Sequence, residues 1–369
     1  AWGCYYVNTC NANTFSPGGD YDIYDYRSPD DTRRDDEVQA AMTGLFDAAG
    51  LSHELTLGTS AFRRVIDKRE SVNEHIGSGN IYQNAPSFPP TSEPLKDSHR
   101  NLDSRQYGLF VTDRIRFNEQ WQTILGGREV RLDEKAFDGT TGNQVRHTQQ
   151  YVFLPQASLI YQPVENISLY TSYSKGVSLG GTAPWFASNA DETLAPTTSR
   201  QIEAGVKYDW RRISFAAAVF QTRQAYQYAK PDGAGFTYVQ QGEQKNTGLE
   251  LSANGWATER LQIATSVAAI RARVTGSGTP DYEGHQAINV PTLRASVYAD
   301  YALPWVNGLA VLGGVQYSAK KYANRTGNVE VGDYAVVNVG SRYTTQVDGY
   351  ETVFRLSVDN LFDKRYWRD

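Results

Sequence analysis

The feature that most constrains this chain is a two-residue rhythm sustained over unusually long runs. Ile202, Ala204, Val206 and Tyr208 alternate with Glu203, Gly205, Lys207 and Asp209. Leu293, Ala295, Val297, Ala299 and Tyr301 alternate with Arg294, Ser296, Tyr298 and Asp300. Phe354, Leu356 and Val358 alternate with Arg355, Ser357 and Asp359. A period of two sends successive side chains to opposite faces of a strand. Strands of a soluble sandwich usually run to about 5–6 residues, and these runs approach or exceed about ten. A soluble β-sandwich, propeller or β-helix is the plainer alternative, but many long strands with one apolar and one charged face describe a transmembrane antiparallel β-barrel with a wet interior.

The punctuation between the runs supports that fold. Extended segments are expected at Glu37–Ala48, Leu51–Ile66, Gln106–Phe117, Trp121–Leu132, Tyr151–Tyr161, Ile167–Lys175 and Gln201–Trp210. Seven more follow at Ile213–Tyr226, Thr237–Trp256, Leu261–Val274, Asn289–Leu303, Leu309–Tyr322, Tyr334–Thr345 and Tyr350–Tyr366. Short turns and longer polar loops alternate between these fourteen segments. Outer-membrane barrels have short periplasmic turns and long extracellular loops. The turns at Gly50, Glu119, Glu165, Arg211, Glu259, Asn307 and Asp348 are therefore expected on the periplasmic side. Residues 1–30 become part of an extracellular loop. A barrel opening there is expected to lack earlier strands, and Ala1 opens with no signal-peptide pattern.

Composition narrows the function classes. No run of eighteen apolar residues exists in the 369, which excludes an ordinary membrane helix and leaves a barrel open, since only alternate residues face lipid. The 24 Tyr, 14 Phe and 7 Trp against a single Met suit membrane interfaces, where a ring is half buried with its polar tip wet. A net charge of -5 and scattered basic pairs (Arg33-Arg34, Arg63-Arg64, Lys320-Lys321) argue against nucleic acid, which needs a clustered basic face. Cys4 and Cys10 are the only cysteines. A disulfide between them fits an oxidising compartment, and two reduced thiols are the alternative. Alone they cannot make a zinc site.

Catalytic motifs lack their context. Gly176-Val177-Ser178-Leu179-Gly180 matches the G-x-S-x-G pattern, which works only on a sharp strand-to-helix turn. Gly181-Thr182-Ala183-Pro184 follows instead. Ser172-Tyr173-Ser174-Lys175 lies on an alternating strand. The five histidines are isolated in sequence, and no metal-site or nucleotide fingerprint occurs. Catalytic, metal and cofactor sites are therefore not expected. Glu203, Asp209, Glu250, Asp300, Arg294 and Arg355 share the polar strand face and are expected to line a lumen.

Three stretches carry a family resemblance. Ser199-Arg200-Gln201-Ile202-Glu203-Ala204-Gly205-Val206-Lys207-Tyr208-Asp209 resembles the "S-x-Q-x-E-x-G-x-K-x-D" strand of TonB-dependent siderophore receptors, preceded by Leu194-Ala195-Pro196 with Thr197 in place of the family's usual Glu. Asn246-Thr247-Gly248-Leu249-Glu250-Leu251 resembles "S-x-G-V-E-L", and Asp359-Asn360-Leu361-Phe362-Asp363-Lys364-Arg365-Tyr366 resembles "N-L-F-D-K-x-Y". The resemblance covers about residues 35 to 369. It implies a 22-stranded barrel with a plugged lumen, located in the outer membrane of a Gram-negative bacterium and embedded in its lipid. It further implies capture of a ferric siderophore and import driven by the TonB complex through an N-terminal plug. Against that pattern the plug, about seven early strands and the last strand are expected to be missing from this sequence, and the fourteen segments are expected to correspond to strands eight to twenty-one, a partial barrel over residues 1–369.

Binding from outside must use loops and upper strands. The candidate contacts are Tyr5, Tyr6, Trp185, Phe186, Tyr226, Tyr228, Tyr322 and Arg325. Aromatic rings pack against chelate rings, and an arginine pairs with anionic chelate oxygens. No protein iron ligands are needed, because the siderophore fills the coordination sphere. The competing readings are the same machine for a vitamin, saccharide or other metal chelate, a passive porin, and a barrel enzyme using Ser178 with His285.

Overall fold

The computed structural model describes residues 16, 18–27, 31–69, 72–84, 87–184, 186–190, 192–233 and 235–367. The strands in chain order are β1 (Asp20–Arg27), β2 (Thr32–Ala48), β3 (Leu51–Arg69), β4 (Val72–Asn80), β5 (Ser98–Arg116), β6 (Trp121–Phe137), β7 (Gln144–Val164), β8 (Ile167–Ser178) and β9 (Thr197–Trp210). They continue as β10 (Ile213–Asp232), β11 (Gly235–Trp256), β12 (Leu261–Thr275), β13 (Leu293–Ala302), β14 (Leu309–Ser318), β15 (Lys321–Tyr322), β16 (Glu330–Val331), β17 (Tyr334–Val347) and β18 (Tyr350–Val358). Fourteen of them, β2, β3, β5 to β14, β17 and β18, form one antiparallel sheet in chain order. Its first and last strands, β2 and β18, are not paired with each other.

Two of the tight turns show why the hairpins close where they do. Ala49 and Gly50 have φ of 53° and 77°, and Asp348 and Gly349 have 50° and 82°. Two successive positive φ values define the turn whose twist matches flanking strands, and Asp-Gly is a favoured pair for it.

All fourteen expected strands are present, with several differences in extent. The segment from Asp67 to Asp103, expected as loop, contains the end of β3, all of β4 and the start of β5. β4 pairs with β1 in a separate two-stranded sheet, Tyr26 opposite Asn73. Polar alternation in these stretches hid them from a search for an apolar face. β13 begins at Leu293 rather than Asn289, because Asn289 is left-handed at φ 59° and Pro291 has no N–H to donate. Lys321 and Tyr322 leave β14 and pair instead with Val331 and Glu330. The last strand stops at Val358 rather than Tyr366. Asn360 and Asp363 are left-handed there (φ 53° and 49°), and the Asn360 side chain accepts the Lys364 amide at 2.9 Å.

Register assigns the faces. Ala204 stands opposite Val219, Val219 opposite Leu249 and Leu249 opposite Ala269, so these share one face. That face is apolar yet exposed: Val219 is 56% accessible and Ile202 59%. Such a surface is stable only against lipid or another apolar body. Tyr161 and Tyr151 lie on this face of β7, and the Trp121 ring stacks on Tyr161 at 4.3 Å. About ten residues of tilted strand between aromatic levels matches the hydrocarbon thickness of a membrane. Ion pairs interrupt the outer face towards both ends; near the turn end His53 Nδ1 meets Asp113 Oδ2 at 2.8 Å. His53, isolated in sequence, is thereby partnered.

The opposite face is polar. Glu203 pairs across to Phe220, Glu250 to Ala218, Asp209 to Ser214 and Asp300 to Gln262. Arg294 stands opposite Ala268 and Arg355 opposite Arg342. All six residues expected on the inner wall share it by parity. Buried packing concentrates at its loop end, where Leu102, Val130, Leu132 and Ala136 are covered. The segment 179–196 ties down here: Arg146 donates from Nε to the Thr193 carbonyl and from Nη2 to the Leu194 carbonyl, both at 3.1 Å. Arg146 Nη2 also meets Glu134, whose side chain is fully buried, at 2.7 Å.

Candidate functional site

Three polypeptide segments converge at the loop end of β10 and β11. A bulge between Ala225 and Gln227 shifts the β10–β11 register at Tyr226, the first of the paired tyrosines of β10. The Tyr226 and Tyr228 rings stack at 4.9 Å, and Tyr282 from the loop after β12 meets Tyr228 edge-on at 5.6 Å. Val274 and Val239 complete the packing. From the hairpin between β15 and β16 comes Arg325. Its Nε donates to the Tyr226 hydroxyl at 3.1 Å, and its guanidinium lies 5.8 Å from the Tyr228 ring centre.

The cluster is held from below. The Tyr228 hydroxyl donates to the Ser277 carbonyl at 2.6 Å. Ser277 belongs to a loop organised by Glu283, whose carboxylate accepts the amides of Ser277 at 2.6 Å and Gly276 at 2.8 Å. The Ser277 hydroxyl and these amides hold the Glu283 carboxyl below the usual carboxylate range.

Electrostatically the site is a cation among neutral phenols. Burial pushes the hydroxyls of Tyr226, Tyr238 and Tyr282 above the ordinary tyrosine value, and Arg325 opposes that shift at each. The phenols stay protonated and can donate. Among the described residues no carboxylate forms an ion pair with Arg325. A half-buried guanidinium without a carboxylate can offer its remaining N–H groups to an anionic oxygen.

The structure thus unites three of the sequence candidates, Tyr226, Tyr228 and Arg325. Tyr228 is fully buried and Tyr226 is 8% accessible, so they form the platform under the guanidinium. Phe186 packs edge-on against Phe236 at 5.8 Å. Tyr322 pairs with Glu330 at the base of the Arg325 hairpin. Tyr5, Tyr6, Trp185, Cys4 and Cys10 lie outside the described residues. Tyr238 and Tyr282 were missed by sequence reading. The signal available was the loop-end position of Tyr238 on the strand paired with the Tyr226 strand; Tyr282 sits in a loop without periodicity.

The loop 179–196 borders this cluster. The Gly181 amide donates to Gln227 Oε1 at 2.9 Å, and Asn189 exchanges hydrogen bonds with the Tyr238 backbone at 2.8 and 3.0 Å. A Cβ on Gly181 would fall 2.7 Å from both the Tyr238 hydroxyl and Gln227 Oε1, so any other residue here must displace those side-chain ends. The alternative catalytic pair is not assembled. Ser178 ends β8 opposite Thr197, and no hydrogen bond joins it to His285 among the described residues.

Comparison with known proteins agrees with this architecture. The family model for the TonB dependent receptor-like β-barrel matches residues 2–361. The ferrichrome receptor FcuA of Yersinia enterocolitica is 25% identical over 335 residues, covering 88% of this chain and 44% of that protein. The ferrioxamine B receptor of Salmonella typhimurium (strain LT2) is 26% identical over 337 residues, covering 88% of this chain and 46% of its own. The chain spans about half the length of these relatives. Among solved structures, the ferric preacinetobactin receptor BauA of Acinetobacter baumannii superimposes with a TM-score of 0.78 at 22% identity, over 96% of this chain and 53% of that one. With a family model spanning nearly its whole length and a fourteen-stranded antiparallel sheet of matching fold, the chain belongs to the TonB-dependent receptor β-barrel family.

Proposed function

We propose that this chain is the ligand-gripping part of an outer-membrane receptor of a Gram-negative bacterium that captures a ferric siderophore and imports it with TonB-transduced energy. The observation that carries the reading is Arg325, a guanidinium with no carboxylate partner among the described residues, held on a tyrosine platform at the loop end of the barrel wall. An anionic, ring-bearing chelate answers both features. The names of the relatives, receptors for ferrichrome and ferrioxamine B, point to the same cargo class. Energy coupling would run through a plug domain, and the fourteen strands would correspond to the eighth to twenty-first of the complete barrel, beginning in an extracellular loop. The protein acts as a receptor rather than an enzyme on this reading, and needs no cofactor of its own.

The test is a titration of the full-length receptor with ferric hydroxamate, catecholate and carboxylate chelates, followed by tryptophan fluorescence. Iron-free chelators serve as controls. Saturable sub-micromolar quenching by one ferric chelate supports the reading. No response to any class would transfer the assignment to a cargo without iron.

A further inference from the structure

The outer face carries a charged feature that ligand capture does not use. Lys175 stands opposite Arg200, Arg200 opposite Arg223, Arg223 opposite Lys245, and Lys245 opposite Arg273. Five neighbouring strands, β8 to β12, therefore present a cation along one line of register, which in tilted strands runs obliquely to the membrane plane. Like charges directly opposite each other on a sheet are destabilising. Glu243 is the one carboxylate ion-paired to the row among the described residues, 3.5 Å from Arg200 and 3.6 Å from Arg223. Lys175 and Lys245 form no ion pair among those residues. The contrast with β3 and β5 is plain: there Arg63, Arg100 and Arg105 all converge on Asp103.

The height of the row is informative. The residues beneath it on the same face are Ile202, Val219 and Leu249, the lipid-facing band. On β9 about ten residues separate Arg200 from the exposed Trp210 at the turn end, one membrane thickness of tilted strand. Arg200 and its register neighbours Arg223 and Lys245 therefore lie where hydrocarbon gives way to headgroups on the loop side. The row is also concave: a shallow cavity of about 430 Å³ is lined by Tyr173, Lys175, Arg200, Arg223 and Glu243. Four strand spacings make the row roughly 19 Å wide, enough for more than one phosphate group.

We propose that this row is a binding site for the phosphorylated headgroup of a lipid in the loop-side leaflet. Its acyl chains lie along Ile202, Val219 and Leu249, and its phosphate oxygens take the forked guanidinium donors of Arg200 and Arg223 and the ammonium groups of Lys175 and Lys245. An anionic headgroup removes the repulsion along the row. The proposal rests on this face meeting lipid and is independent of the cargo.

The experiment is native mass spectrometry of the full-length receptor, delipidated in detergent. It is offered diphosphorylated lipid A, an uncharged lipid of similar chain length, and inorganic pyrophosphate. The expected result is one tightly held diphosphorylated lipid per protein, at least tenfold weaker retention in Arg200→Gln/Arg223→Gln/Lys245→Gln, and unchanged retention in Lys135→Gln. Equal retention by the triple variant overturns the site, as does equal binding of the uncharged lipid. Displacement by equimolar pyrophosphate would reduce it to an adventitious anion site and also overturns the proposal. Wild-type protein alone supplies a second check: its melting temperature rises with the diphosphorylated lipid and not with the uncharged one. A receptor that inserts into phosphatidylcholine vesicles but shows no such rise rejects this site alone; failure to insert rejects the barrel reading itself.

Discussion

Arg325 Nε donates a 3.1 Å hydrogen bond to the Tyr226 hydroxyl, joining residues 99 positions apart. The contact fastens the hairpin between β15 and β16 to the end of β10, and among the described residues no carboxylate forms an ion pair with the guanidinium. Charge-assisted hydrogen bonds contribute about 1.5–3 kcal/mol. Arg325→Gln is therefore expected to weaken binding of an anionic ferric chelate by roughly ten- to hundredfold. The fluorescence titration measures this. Unaltered affinity would remove Arg325 from the site.

Tyr228 is a support. Its hydroxyl is given to the Ser277 carbonyl, and its ring lies between Tyr226 and Tyr282. Tyr228→Phe strips a buried carbonyl of its donor and is expected to cost about 1–3 kcal/mol. Tyr228→Ala also opens a cavity and is expected to cost about 3–5 kcal/mol. Hydrogen exchange of the loop 276–292 should quicken in both variants, more in the second. Equal exchange in both would show that the ring packing contributes nothing.

The Glu283 loop should respond to acid. Its carboxyl is held below its unfolded value by the Ser277 hydroxyl and the backbone amides it accepts. A lowered folded pKa gives stabilisation that is complete above the unfolded value and lost as pH falls through the folded one. The amides of Gly276 and Ser277 are expected to stay protected at neutral pH and to open under strongly acidic conditions. Glu283→Gln should show the acid behaviour at neutral pH. Amide exchange read against pH decides it.

Arg146 latches the loop 179–196 and neutralises the buried Glu134 at 2.7 Å. Removing one partner of a buried pair typically costs about 3–5 kcal/mol. Arg146→Ala should therefore lower the melting temperature and expose the Ala183 amide, which donates to the Glu192 carbonyl at 2.7 Å. If the loop stays protected, the contacts of Gly181 and Asn189 with β10 and β11 hold it without the latch.

Inside and outside can be distinguished by a pair of arginines. Val219 lies on the exposed apolar face, while its neighbour Ala218 stands opposite Glu250 on the polar one. A charge at the membrane midplane on the lipid face costs about 2–4 kcal/mol. Val219→Arg should reduce folding into vesicles by that amount, and Ala218→Arg should be tolerated beside Glu250. The reverse order would invert the assignment of faces.

Alternation was enough to place the fourteen sheet strands, because strand faces and turn chemistry depend on residues within a few positions of each other. Ile202 to Tyr208 predicts its own face, and Asp348-Gly349 predicts its own turn. The same logic put Glu203, Glu250 and Asp300 on one wall. It failed at β1, where Tyr21 and Ile23 alternate with Asp20 and Asp22 outside the main sheet, at the largely polar β4, and where left-handed Asn360 ended a strand whose pattern continues. The meeting of Tyr226 and Tyr228 with Tyr282 and Arg325, of His53 with Asp113, and of Arg146 with Glu134 had no local signature. Those contacts depend on which loops fold back onto which strand ends, and on register across several strands at once. The row from Lys175 to Arg273 shows the distinction most plainly. Each cation is unremarkable in its own strand, and only pairing across β8 to β12 sets five of them side by side.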